Sequence, residues 1–334
     1  MSKGLDVGTS FLITAEESAD GIQYKEVRDA FFRLHPPTSF AGKMLEKGLQ
    51  GLSYFKDVDG SFVLVGQDAI NKAIERNQSA SRPLYRGVIS PKEPDARRIL
   101  KFILSDLVGK PTVPGETLVY SIPAEPVDQS EEDFNTGYHE DCLRQDLSEL
   151  GWNAQPLNEA EAICYSELAD DEYTGISISA GAGMMNVCVM SAGESVIKFS
   201  TTKSGDYIDR MAAQSTGQSD SVVQVEKENG HFVVGEENPN PILNAVSAYY
   251  VRLIDYTVKQ LCHALANHPN LPKFTHPVAF VVSGGTSRAA GFVDAFRSRL
   301  LVEKLPFQIK EVRHASDPLR AVARGCMIAA SLNS

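Results

Sequence analysis

Two segments far apart in the chain share one form, and that repetition limits the folds open to it. Near the N-terminus, Gly4-Leu5-Asp6-Val7-Gly8-Thr9-Ser10 carries an acidic residue on a hydrophobic strand into a turn of small residues. Much later, Val281-Val282-Ser283-Gly284-Gly285-Thr286-Ser287-Arg288 runs strand into glycine turn again, without the acid. Glycine in such turns lets bare backbone N–H groups approach phosphate oxygens. Two turns of this kind suit a phosphate-handling fold with two related halves, each gripping one end of a nucleotide.

Composition narrows the class. At 334 residues, 43% hydrophobic and 22% charged, this is an ordinary globular sequence long enough for two domains. A net charge of −11 argues against a nucleic-acid partner and against binding anionic lipid by bulk charge. The longest apolar-looking helix, residues 243–265, is interrupted by Arg252, Asp255 and Lys259, so it is no transmembrane span. The first residues enter a strand with no basic stretch, apolar core or small-residue cleavage site, and the expected location is cytoplasmic. Cys142, Cys164, Cys188, Cys262 and Cys326 lie far apart without ligand spacing, which suits reduced structural thiols rather than disulfides or a zinc site.

Along the first half, strand-like runs at residues 5–14 and 61–65 alternate with a helix-like run at 67–76. Residues 95–107 place Ile99, Phe102, Ile103 and Leu107 at helical spacing, and 118–122 reads as a buried strand. Glu131, Glu132 and Asp133 are expected to open a helix through Leu150, as acids near an N-terminus do. The second half repeats the plan, with strands at 175–179, 187–190 and 278–283 and a long helix at 242–265. A closing helix over 318–332 is signed by Asp317 as cap and Pro318 at its first position. Strands alternating with helices indicate α/β layers, and the halves are expected to meet near residue 155.

A third segment, Ser179-Ala180-Gly181-Ala182-Gly183-Met184-Met185-Asn186, reads as a tight glycine hairpin between two strands. Each segment alone is a common turn; their order, with Glu159 opening a helix between the first and second, is what carries information. On these residues the chain resembles the actin-like ATPases, and within them the bacterial MreB-type filament proteins. Residues 5–9 resemble the first phosphate loop, 176–189 the second and 281–288 the adenosine loop. Leu157-Asn158-Glu159-Ala160-Glu161-Ala162 and residues 317–325 resemble the two helices that connect the domains, and 82–89 and 204–209 add two further matches. Small residues at Ala160, Ala162, Ala321, Ala323 and Gly325 would let those helices cross closely.

The resemblance implies an α/β fold of the actin and heat-shock-chaperone ATPase kind, with two related domains and a nucleotide cleft between them. It implies a first domain over residues 1–155 with a small subdomain inserted at about 21–81, and a second over 156–334. It implies ATP and Mg²⁺ as cofactors, slow ATP hydrolysis, and self-association into filaments, with a cytoplasmic or membrane adaptor as a further partner. Asp6 matches the acid that orients the hydrated metal, and Glu159 the position that orients the attacking water. Read without the resemblance, Glu159 is a carboxylate favoured by a helix N-terminus. Gly8, Thr9, Ser10, Ser179, Gly181, Ala182 and Gly183 match the phosphate loops, with Gly205 and Asp206 beside them. Gly284, Gly285, Thr286 and Arg288 match the adenosine loop, and Lys227 and Glu228 the ribose and base contacts.

The chain departs from this pattern in three places. Ser179 stands where the second phosphate loop normally has an aspartate, and Met184 and Met185 replace its threonines, either as ordinary core or as a relaxed loop. Losing that carboxylate removes one negative charge beside a metal, so turnover is expected to be slow or absent. The small subdomain of the second half is reduced, at about residues 210–241, with one possible strand at 231–234. This shortening keeps open a second reading, a non-polymerising nucleotide-binding scaffold or adaptor; a small-molecule kinase of the same superfamily would need a catalytic base and a larger insertion that the sequence does not offer. Leu107 and Val108 sit where a membrane-inserting loop of the relatives could lie, though two apolar residues at a helix end are usually core.

Overall fold

The computed structural model describes residues 2–129 and 135–332. Strand β1 (Lys3–Val7) turns back into β2 (Phe11–Ser18), so residues 5–14 form a hairpin rather than one run. The turn needs Gly8: its N–H donates to the Phe11 carbonyl at 3.0 Å, and a Cβ there would lie 2.8 Å from that oxygen. β3 (Gly21–Arg28) continues the same sheet, so the small inserted layer begins at β4 (Phe31–Leu34) rather than at Gly21. That layer holds α1 (Ser39–Gly48), β5 (Tyr54–Lys56), β6 (Phe62–Val65) and α2 (Gly66–Glu75), and its three strands pair antiparallel. A short hairpin, β7 (Leu84–Tyr85) and β8 (Val88–Ile89), leads into α3 (Ala96–Val108) and β9 (Thr117–Ile122).

Helix α3 turns Ile99, Leu100, Ile103, Leu104, Leu107 and Val108 into the core. Leu107 and Val108 therefore do not form an exposed membrane loop. Helix α4 (Thr136–Glu149) is capped by Asn135, whose side chain accepts from the Tyr138 N–H at 2.7 Å. The acidic run expected to open it lies outside the described residues. β10 (Asn153–Asn158) then leads into α5 (Glu159–Glu167), whose cap Asn158 accepts from the Ala160 and Glu161 N–H groups.

The second sheet is built from β11 (Gly175–Ala180), β12 (Met185–Ser191) and β13 (Glu194–Thr201), then β14 (Val278–Ser283) and β15 (Ile309–His314). Between its two parts come α6 (Gly205–Thr216), α7 (Asp220–Asn229) and the long α8 (Pro241–Asn267); α9 (Phe292–Leu301) joins the last two strands. Among the described residues α7 is the only regular element between α6 and α8. Residues 231–234 form no strand: Val234 donates to the Ala290 carbonyl and Ser247 Oγ to that of Val233, so the segment is pinned as a loop.

The two sheets share one plan. In the first, β10, β9 and β1 run parallel while β2 and β3 follow antiparallel. In the second, β15, β14 and β11 run parallel while β12 and β13 follow antiparallel. Helix α10 (Ala321–Leu332) packs on the first sheet, α5 packs on the second, and the two helices cross each other. Asp317 acts as a cap, its Oδ1 accepting from the Leu319 N–H at 3.1 Å and its carbonyl from the Ala321 N–H at 3.0 Å. Pro318, however, lies in a turn ahead of α10, not at its first position, because its own carbonyl is taken by the Gly284 N–H and Ser283 Oγ.

Beyond β9 the chain crosses to the second sheet as a strap, residues 124–128. Ser200 N–H donates to the Glu125 carbonyl at 3.1 Å, Val127 N–H to that of Ser200 at 2.9 Å, and Ser200 Oγ to that of Ala124 at 2.7 Å. Asp128 ends the strap by accepting from the Thr202 N–H and the Tyr256 hydroxyl.

Candidate functional site

The parallel strands β1, β11 and β14 all end at one cleft of about 930 Å³. It is lined by Asp6, Gly8, Thr9, Ser10, Glu159, Ser179, Gly181, Ala182, Gly183, Gly205, Asp206, Lys227, Glu228, Gly284, Gly285, Thr286 and Arg288. Every residue expected from the sequence to hold the nucleotide or metal thus lines the same space, although they span 283 positions of chain, from 6 to 288.

The glycine turns approach each other closely. A Cβ on Gly183 would lie 2.5 Å from Thr9 Oγ1 and 2.9 Å from the Arg86 Cα, so only glycine allows the second turn to meet the first. Thr9 Oγ1 also accepts from the Gly87 N–H at 3.0 Å, which adds the β7–β8 turn to this junction. The Gly181 carbonyl is held by Ser204 Oγ at 2.5 Å and Thr286 Oγ1 at 2.7 Å, and Asp206 N–H donates to the Ala182 carbonyl. Gly284 has φ +92°, and a Cβ there would fall 2.2 Å from the Ala180 carbonyl oxygen. All three turns are therefore fixed by contacts that a larger residue would break.

At the floor of the cleft are two carboxylates. Asp6 Oδ1 accepts from Ser121 Oγ at 2.9 Å, and that hydroxyl in turn accepts from the Val7 N–H at 2.8 Å. Glu159 Oε2 accepts from Ser179 Oγ at 3.2 Å and from Asn186 Nδ2 at 3.0 Å. Oε1 has no hydrogen-bond partner among the described residues. Burial pushes Asp6 up to about 7, and burial together with the charge of Asp6 pushes Glu159 up to about 8. Two carboxylates that resist ionising side by side, with hydroxyls around them, form a hard oxygen donor set. A divalent cation held largely through water fits that set.

Towards the outer cleft, Lys227 is engaged by Asp209 at 2.7 Å, and burial raises Asp209 to about 6 against the pull of that lysine. Arg82 from the first half reaches both oxygens of Asp206 at 3.1 Å across the cleft mouth. Met185 packs into the core of the second sheet, as the core reading expects, whereas Met184, also buried, lines the cleft beside the Gly87 turn. The sequence reading did not single out Ser121 or Asn186. The signal for Asn186 is register: it lies directly opposite Ser179 in the β11–β12 ladder, on the same face.

A family model described as Volactin matches residues 1–330. The chain belongs to the Volactin family. No curated protein matches the sequence. Among solved structures, the MamK double helical filament is similar at TM-score 0.70 and 19% identity, covering 98% of each chain. MreB 5 of Spiroplasma citri bound to AMPPNP is similar at TM-score 0.67 and 15% identity, covering 99% of this chain and 96% of that one. The ethanolamine utilization protein EutJ from Carboxydothermus hydrogenoformans follows at TM-score 0.54 and 13% identity, covering 98% and 89%. These likenesses establish the actin-like ATPase fold. No helix among the described residues is long and apolar enough to cross a membrane.

Proposed function

We propose that this protein binds ATP with Mg²⁺ in the cleft and assembles with copies of itself into filaments, as a cytoskeletal protein of the cytoplasm. The observation that carries the reading is the convergence of the three glycine turns on the Asp6–Glu159 pair. The turns of residues 8–10 and 181–183 would hold the phosphates with backbone N–H groups, and Gly284 and Gly285 would lie against the base and ribose. Asp6 would hold the hydrated cation, which supplies charge neutralisation at the phosphates. In hydrolysis Glu159 would orient a water at Oε1. That water's oxygen bonds to the γ-phosphorus, the bond to the bridging oxygen breaks with its electron pair leaving on ADP, and the proton passes to solvent. Ser179 leaves this arrangement one carboxylate short, which favours slow turnover. The similarity to a MamK filament and to a nucleotide-bound MreB supports both halves of the reading.

A second reading, a nucleotide-binding scaffold that does not polymerise, is favoured by the single helix α7 between α6 and α8. One experiment separates the two. Purified protein is sedimented with ATP, ADP or no nucleotide at matched salt and Mg²⁺, with phosphate release followed in the same tubes. A pellet that depends on ATP is the expected result. A soluble protein that binds nucleotide at every concentration tested refutes assembly and leaves the scaffold.

A further inference from the structure

Asn186 is fully buried, and both ends of its amide are used. Nδ2 donates to Glu159 Oε2 at 3.0 Å, while Oδ1 accepts from the Ala124 N–H at 2.8 Å. Ala124 is the first residue of the strap that leaves the first sheet and docks on β13. One side chain therefore touches the cleft carboxylate and the inter-sheet connection together. Ser179, its partner across the β11–β12 ladder, donates to the same Glu159 oxygen. Two neutral donors thus converge on Oε2 and turn the carboxylate so that Oε1 is left for the cleft.

We propose that Asn186 is a positioning residue that ties the orientation of the Glu159 carboxylate to the docking of the 124–128 strap. The cleft then presents Glu159 to a bound nucleotide only while the two sheets are strapped together. This rests on the nucleotide-binding reading for its ligand, but the link between strap and carboxylate stands on hydrogen bonds of the chain itself. If the strap peels from β13, Ala124 N–H leaves Oδ1 and the amide is free to turn. Glu159 then loses one of its two donors, and the water-orienting oxygen is no longer fixed.

The test uses the full chain and two variants. Asn186→Ala removes both contacts; Asn186→Asp keeps an acceptor for Ala124 but loses the donor to Glu159. Hydrogen exchange is followed at the Ala124 and Val127 amides, and phosphate release is measured across a range of ATP concentrations with Mg²⁺. For Asn186→Ala we expect exchange at both amides to quicken at least about tenfold. Its maximal turnover falls at least about tenfold while the half-saturating ATP concentration stays within about threefold, as for a misplaced orienting group. For Asn186→Asp we expect exchange within about threefold of wild type and turnover still low. A merely structural role would move stability and both kinetic constants together. Wild-type exchange in Asn186→Ala, or wild-type turnover in Asn186→Asp, overturns the proposal. Should Asn186→Ala not fold, Asn186→Asp alone decides on the same terms. If the wild type binds ATP without turnover, or does not bind it, the functional reading is what fails, and exchange at Ala124 in the two variants still decides the coupling.

Discussion

Gly325→Ala tests whether the α5–α10 crossing is as close as the packing requires. A Cβ on Gly325 would lie 1.8 Å from the Ala162 carbonyl oxygen, 2.4 Å from its carbon and 2.9 Å from the Ala162 Cα. An ordinary carbon–oxygen contact is roughly 3.3 Å, so the helices would have to part by about 1.5 Å at this point. All three obstructing atoms are backbone, and both helices are packed against sheets on their far sides. Overpacking of this kind costs about 3 kcal/mol, the upper end of the usual range, because no rotamer change relieves it. Alanine regains about 1 kcal/mol of helix propensity, leaving a net loss of about 2 kcal/mol. At about 2.1 cal/mol/K of unfolding entropy per residue over 334 residues, that is a fall of roughly 3 °C in the unfolding midpoint. The assay is thermal unfolding followed by circular dichroism, beside Gly137→Ala in α4. There a Cβ meets nothing nearer than Asn135 Oδ1 at 3.5 Å, so alanine should be neutral or mildly stabilising. If Gly325→Ala melts with or above Gly137→Ala, the close crossing is wrong.

Three further outcomes follow from the site and its surroundings. Ser179→Asp replaces a donor to Glu159 with a third carboxylate near the Asp6–Glu159 pair, so the cation-free protein should lose on the order of 1–2 kcal/mol and melt roughly 1–3 °C lower. Added Mg²⁺ with ATP should recover the loss and phosphate release should rise; unchanged release in a folded variant counts against the site. His139 is buried with neither ring nitrogen hydrogen-bonded among the described residues, and burial pushes it down to about 3. Because the unfolded chain takes up that proton near pH 6.5 and the fold does not, stability should fall as pH drops from about 6.5 towards 3, by about 1.4 kcal/mol per unit. His139→Leu should flatten that slope in acid unfolding curves, and an unaltered slope would remove His139 as its source. Arg82→Ala breaks the pair with Asp206, which is partly exposed and worth only about 0–1 kcal/mol to stability. It should leave the melting point almost unchanged while a fluorescent ATP analogue dissociates about threefold faster or more in stopped-flow chase; an unchanged rate would mean the pair does not gate the cleft.

What could be read beforehand was the chemistry that is local in sequence. The glycine turns at Gly8, Gly181 to Gly183 and Gly284 announce themselves because each needs a bare backbone where it stands, and Asp6 and Glu159 sit beside them. The small residues of residues 160–162 and 321–325 read as a close crossing for the same reason. What depended on register between distant strands was not legible. Ser121 reaches Asp6 only because β9 lies beside β1, and Asn186 reaches Glu159 only because β12 folds back on β11. β13 was missed because Glu194, Ser195 and Lys198 interrupt its apolar residues, and its outer edge is covered by a strap from elsewhere in the chain. The short apolar run Phe232-Val233-Val234 suggested a strand, yet among the described residues no neighbouring strand offers it a ladder. Asp317 caps as its type suggests, but the Pro318 carbonyl is taken by Ser283 and Gly284 from a distant turn, which no local signal announces.

The seating of α10 on β1 and β2 sets an order of events during synthesis. One face of the first sheet, begun by Lys3, is completed by residues that follow Ala321. At about 5–20 residues per second, the N-terminal hairpin waits on the order of tens of seconds for its covering helix. Until then Gly4, Ile13 and Ala15 lack the neighbours Ala323, Cys326 and Met327 that cover them in the finished fold. A ribosome stalled short of Ala321 would hold a sheet with one greasy face bare, so the nascent chain should depend on a chaperone over most of its length.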